Sequence, residues 1–519
     1  MSKNHVALWL SVFLACIAIA ASGQENLPNR IVSERVIAPI IVYDNYLSRA
    51  SRIVSPDGKR LALAADVGNI IFLKEIVVID GQEGKKYTEV DGLTFSLDSQ
   101  HVAYGARLGN QWFVVVDGKE QKPYDGIGKG TPLFSPDSKR VDYRAMVGNK
   151  QIVVVDGEEG KPYDGIGGTP VFSPDSQHVA YGARLGDQWF MVVDGKEDRH
   201  YDQIGGDRIF SPDSKRVAYR AMVGNMQVVV VDGKEEKQYD ILGDPVFSPN
   251  SKQVAYGVES GGKGFVVVDG KEKKQYDDVA PDSLMFSRDG QHLAYVAQVN
   301  NKWSVVVGEK EEKQYDDIAP DSLMFSPDGH RLAYVAQVNN KWCVVIDGKE
   351  EKLYDSITKG TLIFSPDSQR LAYVAKASNK SFVVLDGKDG KQYVDIAKHS
   401  FIFSPDSKRM AYKGITESWS ISGRYHEKGG LVVDGKEVQQ YGDDDIVTSP
   451  IFSPDSQHVA YWVENIKLIG TRAFVVIDGN EGKQYSGIGG NIIFDSPDTL
   501  HYLAQKKGIS MYLVEEAIK

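Results

Sequence analysis

Twelve copies of Ser-Pro-Asp, or a close variant, recur from Ser55 to Ser496, mostly 37 to 41 residues apart. A period of this length marks a chain built from identical small units. One unit cannot bury its apolar face alone, so neighbours must stack to make a core.

The copy from Thr169 to Gly206, TPVFSPDSQHVAYGARLGDQWFMVVDGKEDRHYDQIGG, contains four short segments rich in β-branched or aromatic residues. The first ends in Phe172-Ser173. The second is VAYGA, the third QWFMVVD, and the fourth surrounds Tyr201-Asp202. Each is bounded by turn formers and is too short for a helix with an apolar face. In Ser173-Pro174-Asp175-Ser176, proline presets φ for a type I turn, and the flanking Ser and Asp can bond the local backbone. Asp-Gly after the third segment, as at Asp194-Gly195, suits a tight hairpin because both residues tolerate positive φ. Four strands per unit predict a propeller blade, so the fold class is an all-β β-propeller of twelve four-stranded blades.

The chain ends look complementary. The last copy, NIIFDSPDTLHYLAQKKGISMYLVEE, lacks the Tyr-Asp segment, and an orphan Tyr43-Asp44 precedes the first copy. An N-terminal strand at that pair is expected to complete the last blade and remove an open edge.

FSPDGHRLAY (Phe325 to Tyr334) and FSPDSKRVAY (Phe210 to Tyr219) resemble the WD-like propeller repeats of the TolB-like family. The resemblance covers about 50–519. It implies a propeller and says little about function, since such propellers bind many partners. The Gly-His and Trp-Asp marks of true WD repeats are absent, and residues 24–42 are too few for the N-terminal domain that TolB carries. The family's usual propeller size favours two six-bladed rings. The alternative is one large closed ring, which the unbroken spacing at the midpoint and the complementary ends suit.

Residues 1–23 read as a secretory signal: Lys3 and His5 precede the apolar run Val6 to Ala21, and Ala21-Ser22-Gly23 offers a cleavage site. A periplasmic or secreted chain of residues 24–519 is expected. No later segment could span a bilayer. Cys16 fits a lipidation box poorly. Cys343 is then the one remaining cysteine and is read as a buried small hydrophobe. The net charge of −11, with Lys and Arg in every repeat, disfavours nucleic-acid binding.

No catalytic residue, metal site or cofactor is expected. His101, His178, His292, His458 and His501 fall four residues after the proline position, where other copies carry Arg, as at Arg216 and Arg370. They read as surface residues at the turn exit. Gly442-Asp443-Asp444-Asp445 lacks the pattern of a calcium loop. Asp142 replaces an alanine found in ten copies; it is either a paired or partly exposed carboxylate, or a channel carboxylate.

The departures from the repeat say more. Most units place 13 residues between the second-strand Tyr and the Asp of Asp-Gly. Tyr412 to Asp434 is 22, Tyr461 to Asp478 is 17, and Leu63 to Asp80 is 17. These insertions lie between strands two and three, hence on one face. Trp419, Arg424, Tyr425 and His426 lie in the largest, and Trp462 and Arg472 in or beside its neighbour. Trp, Tyr and Arg are enriched at binding hot spots. The sequence therefore reads as an exported, non-catalytic scaffold for an envelope or extracellular protein, or a surface glycan. The alternatives are a propeller glycosidase or lyase, needing two carboxylates in one pocket, and an inert repeat protein.

Overall fold

The computed structural model describes residues 23–27, 29–39, 51–67, 74–205, 210–280, 283–398, 400–421, 424–441, 445–467, 470–506 and 510–519. These form twelve antiparallel sheets with almost no helix. Blades 1 to 12 are numbered here by their turn serines, Ser55 to Ser496. Blade 4 is typical: Gly165–Phe172, Val179–Leu185, Gln188–Val193 and Lys196–Glu197 pair in sequence order. The fourth strand starts earlier than expected, just after Asp-Gly, and ends at the Trp189–Tyr201 bridge. Asp202 then leads into the next blade.

The blades form one ring. Twelve separate apolar clusters fill the seams from blade 1–2 round to blade 12–1. The seam between blades 6 and 7, around Tyr276, Tyr295 and Val306, is built like the others. This overturns the two six-bladed rings. Ring size follows from the wedge set at each seam, and an unvarying seam gives the chain no place to close early.

Each regular seam is made by the same residues. In ten seams the fourth-strand tyrosine of one blade meets the second-strand tyrosine of the next edge-to-face, with centroids 6.0 to 6.3 Å apart. Each such pair adds about 0.5–1.5 kcal/mol beyond the burial of two large rings. The Ser-Pro-Asp-Ser turn supplies a second link. Within it, Ser173 Oγ donates to Asp175 at 2.6 Å and accepts from His178 N–H at 2.9 Å. The last serine holds a left-handed φ of 66° at Ser176. Its Oγ accepts the N–H of Asp137 from the preceding blade at 2.9 Å. Blade 7 ends this turn in Gly290, which has no hydroxyl. The one asparagine at the turn-Asp position, Asn250 of blade 6, faces it and donates its amide to Asp289 O and Gly290 O at 3.0 and 3.1 Å.

The cation after the turn is a clasp. Arg370 lies 5.7 Å from the centre of the next blade's Phe403, donates to Ser407 O and Lys408 O, and pairs with Asp386 of its own Asp-Gly turn. His178 plays the same part with Asp194 and Phe210. His101 pairs with Asp117, and His458 with Asp478. His501 corrects the reading of this position: it is 1% exposed. The turn of blade 12 is shorter before its tyrosine, so His501 takes the position that is alanine elsewhere. It bonds Asp495 at 2.7 Å and the Asp57 carbonyl of blade 1 at 2.7 Å.

Closure uses different chemistry. Tyr43-Asp44 lies outside the described residues. The strand that pairs with the last strand of blade 12 is Arg30–Pro39, with Gly23–Leu27 outside it. Ile37 and Leu63 stand in the closing cluster with Leu61, Leu503, Met511 and Leu513, in place of the tyrosine pair. Arg30 and Glu516 form a buried ion pair at 2.7 Å, with Tyr502 donating to the same carboxylate. Glu34 accepts from Tyr485 at 2.8 Å and from Lys506 at 2.5 Å. Burial raises the Glu34 pKa, but these bonds and the charge of Lys483 outweigh it and hold the group below its ordinary value.

Two expectations follow. Arg30→Ala and Glu516→Ala each strand a buried charge and should cost about 3–5 kcal/mol, with a double mutant well short of the sum. Urea unfolding followed by tryptophan fluorescence measures this. Because the Glu34 pKa is depressed on folding, its contribution is complete above the unfolded value and is lost as pH falls through the folded one. Glu34→Gln should therefore flatten the acid limb of the stability profile.

Candidate binding surface

Loops between strands two and three, with the links from one blade to the next, make one face of the ring. In blades 3 to 9 the hairpins on this face are tied down by the Asp of Tyr-Asp. Asp164 accepts the N–H of Gly186 in the next hairpin at 2.8 Å, and Lys150 pairs with its other oxygen. Asp125, Asp202, Asp240, Asp277, Asp316 and Asp355 cap the hairpins that follow them in the same way.

The pattern stops before blade 10. The capping position there is Val394, then Gly442 before blade 11 and Ser486 before blade 12. In blade 10, Met410–Ile421 and Arg424–Val433 continue as a ribbon past the usual tip. Five further pairs, from Glu417–Lys428 to Ile421–Arg424, carry it about 17 Å outward. The Thr416 hydroxyl donates to Lys428 O at 3.1 Å, and Glu417 and Lys428 pair across its base. Blade 11 extends by two pairs, to Lys467–Gly470. The blade 1 insertion, 68–73, lies outside the described residues. Ring closure makes blades 10, 11, 12 and 1 consecutive.

The candidate residues fall in two places. Trp419 stands opposite His426 in the ribbon, with Tyr425 opposite Ser420 and Arg424 opposite Ile421. Their backbone is described; their side chains are not. Trp462 is half-buried beside the seam between blades 11 and 12, its backbone N–H donating to Thr448 Oγ1 at 3.1 Å. Arg472 lies over Phe474 at 5.1 Å and pairs with Glu481 at 3.2 Å. These two belong to the frame of blade 11 rather than to the projecting ribbon.

A second feature escaped the sequence reading. A cavity of about 400 Å³ between blades 1 and 2 is lined by Asp66, Glu75, Asp91, Gly92 and Leu93, among others. Burial, and then the charges of Asp66, Glu89 and Asp91, hold Glu75 above the usual carboxylate range, against a hydrogen bond from Val90 N–H. Glu75 and Asp91 sit where the other blades carry no acid, and that departure was the available signal; the positions of Asp66 and Glu89 are acidic in other blades too, as at Glu259 and Asp278.

Asp142 is neither a channel carboxylate nor a paired one. It sits at 0% exposure on the second strand of blade 3, opposite Leu133 and Val155, and neither carboxylate oxygen has a hydrogen-bond partner. Burial, then the charge of Asp156, push it up to about 8. Cys343 is fully buried in the seam between blades 7 and 8, and burial pushes its thiol up to about 11. Among the described residues no cluster suits a metal ion, and no helix is long and apolar enough to cross a membrane.

No protein-family model matches the chain, and no curated protein matches it. Among solved structures it is similar to a eukaryotic initiation factor at 13% identity and a TM-score of 0.35, over 74% of this chain and 96% of that one. TolB from Acinetobacter baumannii matches at 16% and 0.23, over 50% and 78%. An oligogalacturonate lyase from Vibrio parahaemolyticus matches at 12% and 0.25, over 57% and 97%. Identities and scores this low assign the chain no function.

A buried acid with a raised pKa costs stability as pH climbs. For Asp142 the cost is absent below the unfolded value near 4 and complete above about 8. The advantage of Asp142→Ala over wild type should therefore be larger by a few kcal/mol at pH 8 than near pH 4. Paired urea titrations at the two pH values check the sign.

Proposed function

We propose that this chain is an exported β-propeller scaffold that holds a protein partner of the cell envelope or exterior on the hairpin face of blades 10, 11, 12 and 1. A surface glycan is the other ligand class this surface suits. The observation that carries the reading is the coincidence of two changes. The hairpins of blades 10 and 11 lengthen where the capping aspartate is missing, although blade 2, which follows Thr88, lacks that aspartate and keeps the ordinary length. Nine blades keep their second-strand hairpins close to a common length, so the ribbon is a departure from a rule that most of the ring obeys. Insertions tolerated at random would fall anywhere round the ring; these fall side by side.

Export rests on the leader-like residues 1–23, which lie, but for Gly23, outside the described ones. Mass spectrometry of the N-terminus of protein recovered from a native envelope or culture medium tests it; an intact Met1 would contradict it.

The binding reading is tested by cross-linked capture from the native envelope. One bait is the mature chain. The control bait replaces 416–428 with the short Val-Asn-Asn-Lys turn of blade 7. A partner captured by the first and not the second is the expected result. Equal capture by both contradicts the reading.

The acidic cavity between blades 1 and 2 favours a second reading, a propeller-type glycosidase or lyase with Glu75 as its proton-bearing acid and a neighbouring carboxylate as base. That reading expects turnover of some polysaccharide in a panel, falling at least about 100-fold in Glu75→Gln. The scaffold reading expects no turnover by either protein.

A further inference from the structure

We infer that the partner is engaged by strand addition: an extended peptide segment pairs with the free inner edge of the blade 10 ribbon, along 418–421. This rests on the binding reading above and specifies its mode.

The argument is one of backbone hydrogen bonds. Below the ribbon, the edge of Met410–Ile421 is covered by Asp395–Ile396, which pairs with Ile415 and Gly414. On the other side Lys436–Tyr441 covers Arg424–Val433 only from Gly429 onward. Among the described residues, 417–421 and 424–428 pair with each other and with no third strand. Each strand of such a ribbon turns alternate N–H and C=O groups outward, a row that another extended chain can satisfy.

The two edges differ. The outer strand carries Arg424, Glu427 and Lys428, and charges on an edge discourage pairing. Beyond Glu417 at its base, the inner strand runs Ser418-Trp419-Ser420-Ile421 with no charge and no proline. Most edges on the circumference of the ring are guarded. Fourth strands on the circumference are short or lysine- and glutamate-rich, as at Lys119–Glu120, Lys196–Glu197 and Lys310–Tyr315. The 418–421 edge thus differs from the fourth strands on the circumference, and it continues the line of Asp395–Ile396, so an added strand would extend a sheet that already exists.

The test uses the full mature chain and a displayed library of random twelve-residue peptides, selected on wild type and depleted on the variant shortened at 416–428. Enriched peptides are then made with N-methyl groups on one or the other alternating set of residues. Strand addition expects one set to lose at least about tenfold in affinity and the other to change less than about twofold. Equal sensitivity of the two sets, or no enrichment of any peptide, overturns strand addition. The binding reading fails separately: if the envelope partner is captured equally by the shortened chain, the surface itself is wrong, whereas loss of that partner with no alternating pattern leaves the surface and removes the mode.

Discussion

Everything in this ring depends on the seam between neighbouring blades. A single four-stranded sheet of this kind has two apolar faces and no core of its own. The tyrosine pair gives ten of the twelve seams their apolar weight. The buried turn serine, with its cross-blade hydrogen bond, fixes the offset, as Asp137 N–H does on Ser176 Oγ. An apolar contact alone would let blades slide; the directional bond sets the register. The Lys–Glu pairs on the circumference, such as Lys161–Glu197, are exposed and add little energy, but they repeat the same blade-to-blade spacing.

The closing seam solves a harder problem, because its two halves come from opposite ends of the chain. Aliphatic residues replace the tyrosines between blades 12 and 1, and on its other face the strand from the N-terminal end brings Arg30 and Glu34 against Asn480 and Tyr485 of blade 11. Arg30 and Glu516 satisfy each other only in one register of Arg30–Pro39 against Ser510–Ile518. A strand slipped by one residue would turn every side chain to the opposite face and leave a buried charge alone. His501, reaching from blade 12 to the Asp57 carbonyl, replaces the serine bond where blade 1 ends its turn in Gly58. A Cβ at Gly58 would stand 2.8 Å from Ile493 Cδ1 and 3.1 Å from His501 Nε2, so a side chain there would have to displace both.

Much of the fold was legible because the repeat averages away local ambiguity. Strand identity, the Asp-Gly hairpins and blade number follow from residues that recur in nearly every copy. Ring number did not, because it depends on the wedge angle at a seam and no single blade encodes it. The closing strand was misplaced because Tyr43-Asp44 imitates the repeat, whereas Arg30–Pro39 closes the ring with residues that do not. His501 was misread by counting from the turn, although its place before Tyr502 marked the alanine position. At the candidate surface, the hairpin insertions could be read from spacing alone. The capping role of the Tyr-Asp aspartate could not, since its partner amide lies about 22 residues downstream in another blade, as with Asp164 and Gly186.

The central claim is a single twelve-bladed ring with a projecting ribbon to one side, and particle imaging by electron microscopy tests it most directly. Class averages of the purified mature chain should show one ring with twelve lobes around a central opening. Side views should carry density rising from one sector of one face, absent when 416–428 is shortened. Two smaller rings joined in tandem, or an open arc with a gap between the first and last blades, would contradict the account.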